Sequence, residues 1–371
     1  MPSIQLQKSE LEKFLSLSSY TNLTSECIQL MPDTEYIKIE LKRGFCTMSV
    51  SSVNSFVSYM FSTTNNEDLT ILVSILHLRE FLKGKRKDII TIDDSETTTL
   101  ITDGSFKLSK VKKSDIKLEH FLILPVIKGI EYLRIERSTI LKIIVSKKYI
   151  ELKDKLRPIL NGSSIKGKQL LSTDSTISCF YELDSEYSFS FFNQKDMELI
   201  SEFDYIDYCK TENWNLIKYK TIVYGSRLTE GLQPGLMHEQ INSFVKILDK
   251  SNTIRVNVEQ FYDFCNSIKS SAKDMTVSTL LTIVENGIKL SYEDVKNNIE
   301  EASQIISAKV TGYEIGYSFK IYQFQIMKVM DSLNSEWINI SECVEPNGNK
   351  GYIGFWLEED KSFHSICSKA I

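Results

Sequence analysis

The chain has 371 residues, 42 % of them hydrophobic and 25 % charged, and its 44 Lys and Arg against 49 Asp and Glu give a formal net charge of −5. With 17 Tyr and 19 Phe, this composition is typical of a folded globular protein and excludes a disordered or collagen-like chain. No apolar run approaches the roughly 18 residues of a membrane span, and the charged first 15 residues do not resemble a signal peptide, so we expect a cytoplasmic protein with no membrane contact. Seven widely spaced cysteines without a CxxC pair predict buried free thiols and no metal site.

A strand followed by a short amphipathic helix recurs three times along the chain. Counted from the first apolar strand residue, apolar residues fall at +0, +2, +7, +10 and +11. The three sets are Ile4, Leu6, Leu11, Phe14 and Leu15; Leu133, Ile135, Ile140, Ile143 and Ile144; and Ile254, Val256, Phe261, Phe264 and Cys265. The first two positions have the period of a strand, and the last three share one face of a helix.

A second pattern, with helix-face residues at +5 and +8 after a strand residue, lies between the occurrences of the first. Its sets are Val73, Leu78 and Phe81; Phe192, Met197 and Ile200; and Ile321, Ile326 and Val329. The six starts are spaced at close to one sixth of the chain length. This even spacing predicts six similar units along the chain.

Between the predicted helices, the sequence reads as antiparallel strands and turns. The segments 88–98, 99–111, 280–284 and 287–292 have strand-like spacing, and Glu285-Asn286 ahead of Gly287 indicates a hairpin. We expect linkers near 124–129 and 234–252. One helix and several strands per unit predict an α+β fold with more strand than helix.

Residues that could support catalysis occur only as isolated fragments of motifs. We interpret His77 as a helix-packing residue because it lies beside the core residue Leu78. Ser163 begins an SxxK match without its companion motifs, and Asp174 lies in a Thr-Asp-Ser-Thr segment without a second acidic motif. One hypothesis for the function of the protein is therefore a hydrolase that uses Asp174 or Ser163 as its nucleophile.

Basic residues cluster near two of the predicted helices, with a net charge of +4 over 73–87 and +5 over 137–157. The candidate DNA-binding residues are Lys13, Arg79, Lys83, Lys85, Arg86, Arg137, Lys142, Lys147 and Lys148. Opposite the buried helix faces lie Lys13, Lys142 and Asp263 in one series and Lys83, Glu202 and Asp331 in the other. A basic helical surface suits sequence-independent phosphate binding, whereas the alternative is that these cations complement helix dipoles and keep the surface soluble.

Four segments give the chain a resemblance to a known family. These segments occur along the chain in the same order as in the family. They are the segment from Gly104 to Ser109; Leu156-Arg-Pro-Ile-Leu-Asn-Gly162 followed by Leu171-Ser-Thr-Asp-Ser175; Ser226-Arg-Leu-Thr-Glu-Gly-Leu-Gln-Pro234; and the segment from Thr253 to Phe261. With six similar units and a length near 370 residues, the chain resembles the bacterial DNA polymerase III β subunit, the sliding clamp.

The resemblance implies an α+β fold of three similar clamp domains per subunit, over residues 1–125, 126–250 and 251–371, with helices on the inside and sheets on the outside. Subunits would associate head to tail into a dimeric ring around duplex DNA, as a non-catalytic processivity factor without a cofactor. Implied partners are duplex DNA, bound without sequence preference, and a DNA polymerase, clamp loader and repair proteins that dock a linear peptide. Such a protein would be associated with the nucleoid.

The resemblance also implies two sites. The peptide pocket would include Leu160, Thr173, Ser175, Ile177, Ser178, Pro234, His238 and Cys367. The subunit interface would include Phe106 and Leu108 on one side and Ser270 and Ser271 on the other. The sequence departs from the family pattern at Thr176-Ile177-Ser178, at a longer segment after Pro234, and at the Ser270-Ser271 pair, which replaces two bulky aliphatic residues. These departures motivate the alternative of a clamp-shaped interaction protein that does not close on DNA.

Overall fold

The computed structural model describes residues 2–21, 28, 31–65, 67–95, 97–111, 131–150, 157–228, 234–269, 277–294 and 299–370. Contacts divide the chain into two compact units, Met1–Ile140 with Lys195–Leu228, and Leu141–Gln194 with Thr229–Ile371. The predicted middle domain therefore contributes residues to both units. Among the helices in the described ranges, none has the length and hydropathy to cross a bilayer.

Seven helices alternate with runs of one to five strands along the described residues. The helices are α1 (Lys8–Ser18), α2 (Ile75–Leu82), α3 (Arg137–Ser146), α4 (Gln194–Ile200), α5 (Pro234–Lys246), α6 (Val258–Lys269) and α7 (Gln323–Ser332). The strands are β1 (Ser3–Gln7), β2 (Tyr36–Lys42), β3 (Phe45–Ser51), β4 (Ser55–Ser62), β5 (Leu69–Ser74), β6 (Ile89–Asp94), β7 (Thr98–Thr102), β8 (Lys107–Val111), β9 (Leu133–Glu136), β10 (Gly162–Thr173), β11 (Ile177–Asn193), β12 (Tyr205–Lys210), β13 (Trp214–Tyr219), β14 (Ile222–Arg227), β15 (Thr253–Asn257), β16 (Ser278–Val284), β17 (Gly287–Asp294), β18 (Ile299–Ile306), β19 (Ala308–Thr311), β20 (Ser318–Tyr322), β21 (Trp337–Cys343), β22 (Tyr352–Trp356) and β23 (Phe363–Ser368).

All six predicted strand-to-helix steps are present. The helices α1, α2, α3, α4, α6 and α7 each begin at the residue directly after β1, β5, β9, β11, β15 and β20, respectively. At the junction residues Gln7, Ser74 and Tyr322, the backbone is still extended, with ψ of 134°, 128° and 130°. The helix-face residues of the second pattern are all buried, as are those at +7 and +10 of the first.

Three positions of the repeat are less buried than predicted: Leu15 and Ile144, at +11 of the first pattern, are half-buried, and Leu133 is exposed. Leu133, at the start of the second set, is 37 % exposed rather than buried. It is the first residue of β9, which is the edge strand of its sheet. Because an edge strand has a neighbour on one side only, its first side chain is left partly open to solvent.

The first unit contains two antiparallel sheets. An eight-stranded sheet has the order β5-β2-β3-β4-β14-β13-β12-β9, and a four-stranded sheet has the order β1-β6-β7-β8. Pairing of β4 with β14, from Tyr59 opposite Ile222 to Ser55 opposite Ser226, carries the larger sheet across the predicted boundary at 125/126.

The second unit also contains one large and one small sheet. Its seven-stranded sheet has the order β10-β11-β23-β22-β21-β15-β19, and its four-stranded sheet has the order β18-β17-β16-β20. Residues Val284 and Gly287 pair at the end of the β16–β17 hairpin, which confirms the predicted turn at Glu285-Asn286. Pairing of β11 with β23, from Ile177 opposite Cys367, carries the larger sheet across the predicted boundary at 250/251.

The prediction of a linker over 234–252 is wrong for most of that segment. Residues 234–246 form α5, the longest helix among the described residues. Its apolar side chains Met237, Ile241 and Phe244 pack against Leu171 and Phe180 of the seven-stranded sheet. The spacing of three and four residues between these apolar positions is that of a helix face, and the polar residues between them concealed it. The other expected linker, 124–129, lies outside the described residues.

The cysteines agree with the expectation of free thiols. Six of them, Cys46, Cys179, Cys209, Cys265, Cys343 and Cys367, are buried and free, and Cys27 lies outside the described residues. Burial raises the pKa of the Cys46, Cys265 and Cys343 thiols to about 12. These groups therefore stay protonated and unreactive at neutral pH.

Candidate functional site

Two of the candidate DNA-binding residues lie on neighbouring helices of the first unit. Lys13 on α1 is exposed, and its Nζ donates a hydrogen bond of 3.0 Å to the Tyr59 hydroxyl. Arg79 on α2 is half-buried, and its Nη2 donates to Ser18 Oγ on α1 at 3.2 Å. Hydrogen bonds within the protein therefore orient both cations. The Lys13 side chain nevertheless stays exposed to solvent.

The basic segment after α2 contains side chains in two different environments. Arg86 donates from Nε to the Phe81 carbonyl at 2.7 Å, and its guanidinium carbon lies 4.9 Å from the Phe81 ring centroid and 4.1 Å from that of Phe106. Such stacking fixes the guanidinium against the protein. Lys83 and Lys85 are exposed and extend from the protein surface.

The candidate residues of α3 and its C-terminal turn make contacts with backbone carbonyls. Arg137 Nη1 donates to the Ser201 carbonyl at 3.0 Å and to that of Phe203 at 2.8 Å. Lys142 Nζ donates to the Glu182 carbonyl at 3.2 Å, and Lys148 Nζ donates to the Asp331 carbonyl. Lys147 is half-buried. These contacts give the basic residues structural roles beside any role in phosphate binding.

The outward residues of the remaining repeat helices are acidic. Glu202 after α4, Asp263 on α6 and Asp331 on α7 are all exposed, as the repeat predicts. At the same outward positions in the first third of the chain, the exposed residues are the cations Lys13 on α1 and Lys83 after α2. The repeat helices therefore carry a positive outward charge in the first third of the chain and a negative one in the last third.

A groove of about 220 Å³ lies in the second unit between α5, the β10–β11 turn and β22–β23. Four of the predicted pocket residues line it together: Thr173, Ser175, Ser178 and Cys367. Its other lining residues are Thr176, Met237, Gln240, Ile241, Phe244, Tyr352, Ile366 and Ser368. Apolar side chains from α5 face hydroxyl groups from the turn, so the groove can accept a ligand with both apolar and hydrogen-bonding groups.

The other predicted pocket residues are not among the groove's described lining. Leu160 and Ile177 are each 1 % exposed and belong to the hydrophobic core. Pro234 is the first residue of α5. His238 is buried, and its Nε2 hydrogen-bonds with Ser164 Oγ at 2.9 Å.

The α5 side of the groove could have been found from the sequence. Met237, Ile241 and Phe244 are apolar at helical spacing, and Gln240 lies on the same face. The interpretation of 234–252 as a linker hid this signal. Tyr352, Ile366 and Ser368 carry no such signal, because only the pairing of β22 with β23 brings them to the groove.

A second cavity, of about 670 Å³, lies on the opposite flank of α5. His238 and His364 line it, together with Tyr187, Phe189 and Glu239. The pKa of both imidazoles is lowered to about 4, mainly by burial and to a smaller extent by the positive charge of a nearby lysine. Both rings are therefore neutral at physiological pH.

The candidate interface residues of the first unit flank or belong to an edge strand. Phe106 precedes β8 and is partly exposed, and Leu108 lies within β8. His77 Nε2 hydrogen-bonds with the Leu108 carbonyl at 3.1 Å, and burial lowers the pKa of His77, which is a packing residue as expected. Ser270 and Ser271 lie outside the described residues.

The candidate nucleophiles are engaged in structural contacts. Ser163 is fully buried and hydrogen-bonds with Ser146 Oγ at 2.5 Å and with Ser172 Oγ. Asp174 caps the β10–β11 turn and pairs with Lys328. Burial raises the pKa of Asp174, but hydrogen bonds from Lys328 and Thr176 outweigh it and hold the pKa below its usual value. Within the described ranges, no cluster of three or more His, Cys, Asp or Glu residues could hold a metal ion.

Comparisons with known proteins identify the fold. No family model and no curated protein sequence matches the chain. The DNA polymerase sliding clamp of Bacillus subtilis superimposes with a TM-score of 0.82 at 17 % identity, covering 100 % of this chain and 99 % of that one. The DNA polymerase III β chain of Streptococcus pneumoniae superimposes with 0.80 at 17 % identity over 100 % of both chains. A Pseudomonas aeruginosa sliding clamp solved with griselimycin superimposes with 0.80 at 13 % identity over 99 % and 98 %. The chain therefore has, from end to end, the fold of the DNA polymerase III β subunits.

Proposed function

We propose that the protein is a DNA sliding clamp, a non-catalytic processivity factor that encircles duplex DNA. The observation that carries the proposal is the likeness to sliding clamps over the whole of both chains, together with the six strand-to-helix steps. A ring holds DNA by topology, so weak phosphate contacts are enough and permit sliding. Exposed Lys13, Lys83 and Lys85 support such contacts in the first third of the chain.

Two sheet edges support the association of subunits into the ring. Strand β8 is the edge of one four-stranded sheet and β18 is the edge of another. Val111 on β8 is 79 % exposed, and Ile305 on β18 is 64 % exposed. An edge strand with open backbone groups and exposed apolar side chains is a template for pairing with another chain. We expect β8 of one subunit to pair with β18 of the next.

Sedimentation velocity tests this association directly. A ring-forming protein sediments as a dimer at micromolar concentration, and Val111→Lys with Ile305→Lys shifts it toward monomer because both changes place charge at the paired edges. A wild-type protein that stays monomeric and binds no DNA would contradict the clamp and favour the clamp-shaped interaction protein.

Contact with DNA through the first-third helices is tested by charge reversal. Lys83→Glu with Lys85→Glu should reduce co-sedimentation with nicked plasmid DNA and lower its salt dependence, since two phosphate contacts are lost. Lys42→Glu with Arg43→Glu, which makes the same charge change beside the β2–β3 turn, is the matched control. Equal loss in both variants would argue against a DNA-facing role for Lys83 and Lys85.

We further propose that the groove beside α5 docks a linear peptide from partner proteins. Its wall of Met237, Ile241 and Phe244 offers apolar contact, and Thr173 and Ser178 offer hydroxyl groups. Panning a phage-displayed heptapeptide library on the wild-type protein, with counter-selection on Gln240→Trp, should isolate peptides that need an open groove. Ser243→Trp, on an exposed position of α5 outside the groove, should bind them as wild type does. Failure to isolate any such peptide would contradict this assignment.

A further inference from the structure

The turn between β10 and β11 forms one wall of the groove in an unfavourable backbone conformation. Ser175 has φ of 75°, in the left-handed region that non-glycine residues seldom adopt. The Asp174 carboxylate stabilises the turn by accepting hydrogen bonds from the backbone N–H of Thr176 at 2.8 Å and of Ile177 at 2.9 Å. The turn therefore depends on the position of this carboxylate.

Helix α7, which does not line the groove, holds the turn at two points. Lys328 Nζ pairs with Asp174 Oδ2, and the Asp174 side chain is only 6 % exposed. Gln325 Nε2 donates to the Thr176 carbonyl at 3.0 Å. The two contacts lie one turn apart on the same face of α7, so a single rigid element fixes both sides of Ser175.

The choice of Gln at position 325 is explained by its hydrogen bond to the Thr176 carbonyl and not by packing alone. Its side chain is fully buried, and its Oε1 has no hydrogen-bond partner among the described residues. A buried unpartnered amide oxygen destabilises a fold, and an apolar residue would fill the same space without that cost. The amide is explained by its one contact, with the backbone of the turn.

We propose that Lys328 and Gln325 are positioning residues for peptide binding: they hold residues 173–177 in the conformation that shapes the groove. This inference rests on the proposed function of the groove. Neither side chain lines the groove, so their effect on a ligand passes through Asp174 and the Thr176 carbonyl. The contacts of Lys328 and Gln325 with the turn would thereby affect how tightly the groove binds a peptide.

The first test is the affinity of a fluorescein-labelled, groove-dependent heptapeptide from the panning described above. We expect Lys328→Met to weaken binding by about fivefold or more, because the buried Asp174 carboxylate loses its counter-ion and the turn relaxes. Lys328→Arg should retain most of the affinity. Lys320→Met, which removes an exposed lysine from the neighbouring strand β20, is the matched control and should bind as wild type does.

The second test requires no ligand. In hydrogen exchange, the amides of Thr176 and Ile177 should exchange about tenfold faster in Lys328→Met, while amides in β16 and β17 keep their wild-type rates. A variant with faster exchange throughout the second unit would indicate a general loss of stability and would contradict a local role.

The outcomes separate the two proposals. No peptide binding by the wild-type protein contradicts the assignment of the groove. Wild-type binding with equal affinity in Lys328→Met, or unchanged exchange at Thr176 and Ile177, overturns the inference about α7 and leaves the assignment of the groove standing.

Discussion

Glu342 on β21 is a charged side chain in the core of the second unit, only 1 % exposed. Its carboxylate accepts hydrogen bonds from the Tyr317 hydroxyl at 2.9 Å and from Lys350 at 3.1 Å, and it pairs with Lys369. The ammonium groups of Lys350 and Lys369, on side chains 39 % and 21 % exposed, converge on this one buried carboxylate, so losing its charge costs more than losing one member of an exposed pair.

We therefore predict that Glu342→Gln lowers the free energy of unfolding by about 2–4 kcal/mol, measured by urea denaturation. Glu358→Gln is the control because Glu358 also pairs with a cation, Arg255 at 2.8 Å, but on the surface. It should cost less than about 1 kcal/mol. Equal losses of unfolding free energy in the two variants would show that the contacts of Glu342 stabilise the protein no more than an exposed ion pair does.

The buried histidines His238 and His364 predict how stability depends on pH. Both have a pKa of about 4 in the folded protein, against an ordinary value of 6.5. Below pH 6.5 the unfolded chain binds protons that the folded protein does not. The stability they contribute is thus complete above pH 6.5 and is lost as the pH falls toward 4, by up to about 1.4 kcal/mol per pH unit for each ring.

Urea denaturation at intervals between pH 8 and pH 4.5 measures this slope. His238→Gln and His364→Gln should each flatten the slope between pH 6.5 and 4.5. A slope that both variants share with the wild-type protein would contradict the assignment of the lowered pKa values to these two rings.

At the scale of single elements, the β16–β17 hairpin depends on the glycine that begins its second strand. Gly287 has φ of 151°, and a Cβ at that position would lie 2.2 Å from the Ile306 carbonyl oxygen on β18. We predict that Gly287→Ala destabilises the protein by about 2 kcal/mol or more, through both strain and the clash.

Gly348→Ala provides the comparison, since Gly348 also has a positive φ, of 80°, but open space around its Cβ position. Its cost should be limited to backbone strain, about 1 kcal/mol. Thermal unfolding of the two variants measures the difference, and equal costs would contradict the proposed clash with β18.

The elements differ in how far the sequence predicts them. The strand-to-helix steps were predictable because each places apolar residues first at a period of two and then at helical spacing, as at Ile4 and Phe14. Helix α5 was missed because its apolar face is interrupted by polar residues and begins with Pro234-Gly235. Strand order could not be derived either, since the pairing of β4 with β14 joins residues about 165 positions apart.

The candidate site was predictable in part. Thr173, Ser175, Ser178 and Cys367 lie together in one groove, and their role in binding a partner peptide stays a prediction. Met237 and Phe244 were obtainable from helical spacing alone. The contact of Lys328 with Asp174 was not, because it joins two segments that only the folded second unit brings together.

The protein as a whole has the fold of sliding clamps over its full length, at 13–17 % sequence identity to those of three bacteria. Such a fold can persist while surface charge changes. Asp263 and Asp331 on the later repeat helices are exposed, whereas the exposed outward residues of the first third are the cations Lys13 and Lys83. A ring of the kind proposed above would tolerate this arrangement, because it would retain DNA by topology rather than by charge.

Encirclement of DNA is tested most directly by gel filtration of the protein with a bacterial clamp loader and nicked circular DNA, before and after the circle is linearised. An encircling clamp co-elutes with the closed circle at a salt concentration that abolishes ordinary phosphate binding, and it is lost once the DNA has ends from which it can slide. Equal retention on circular and linear DNA would contradict encirclement.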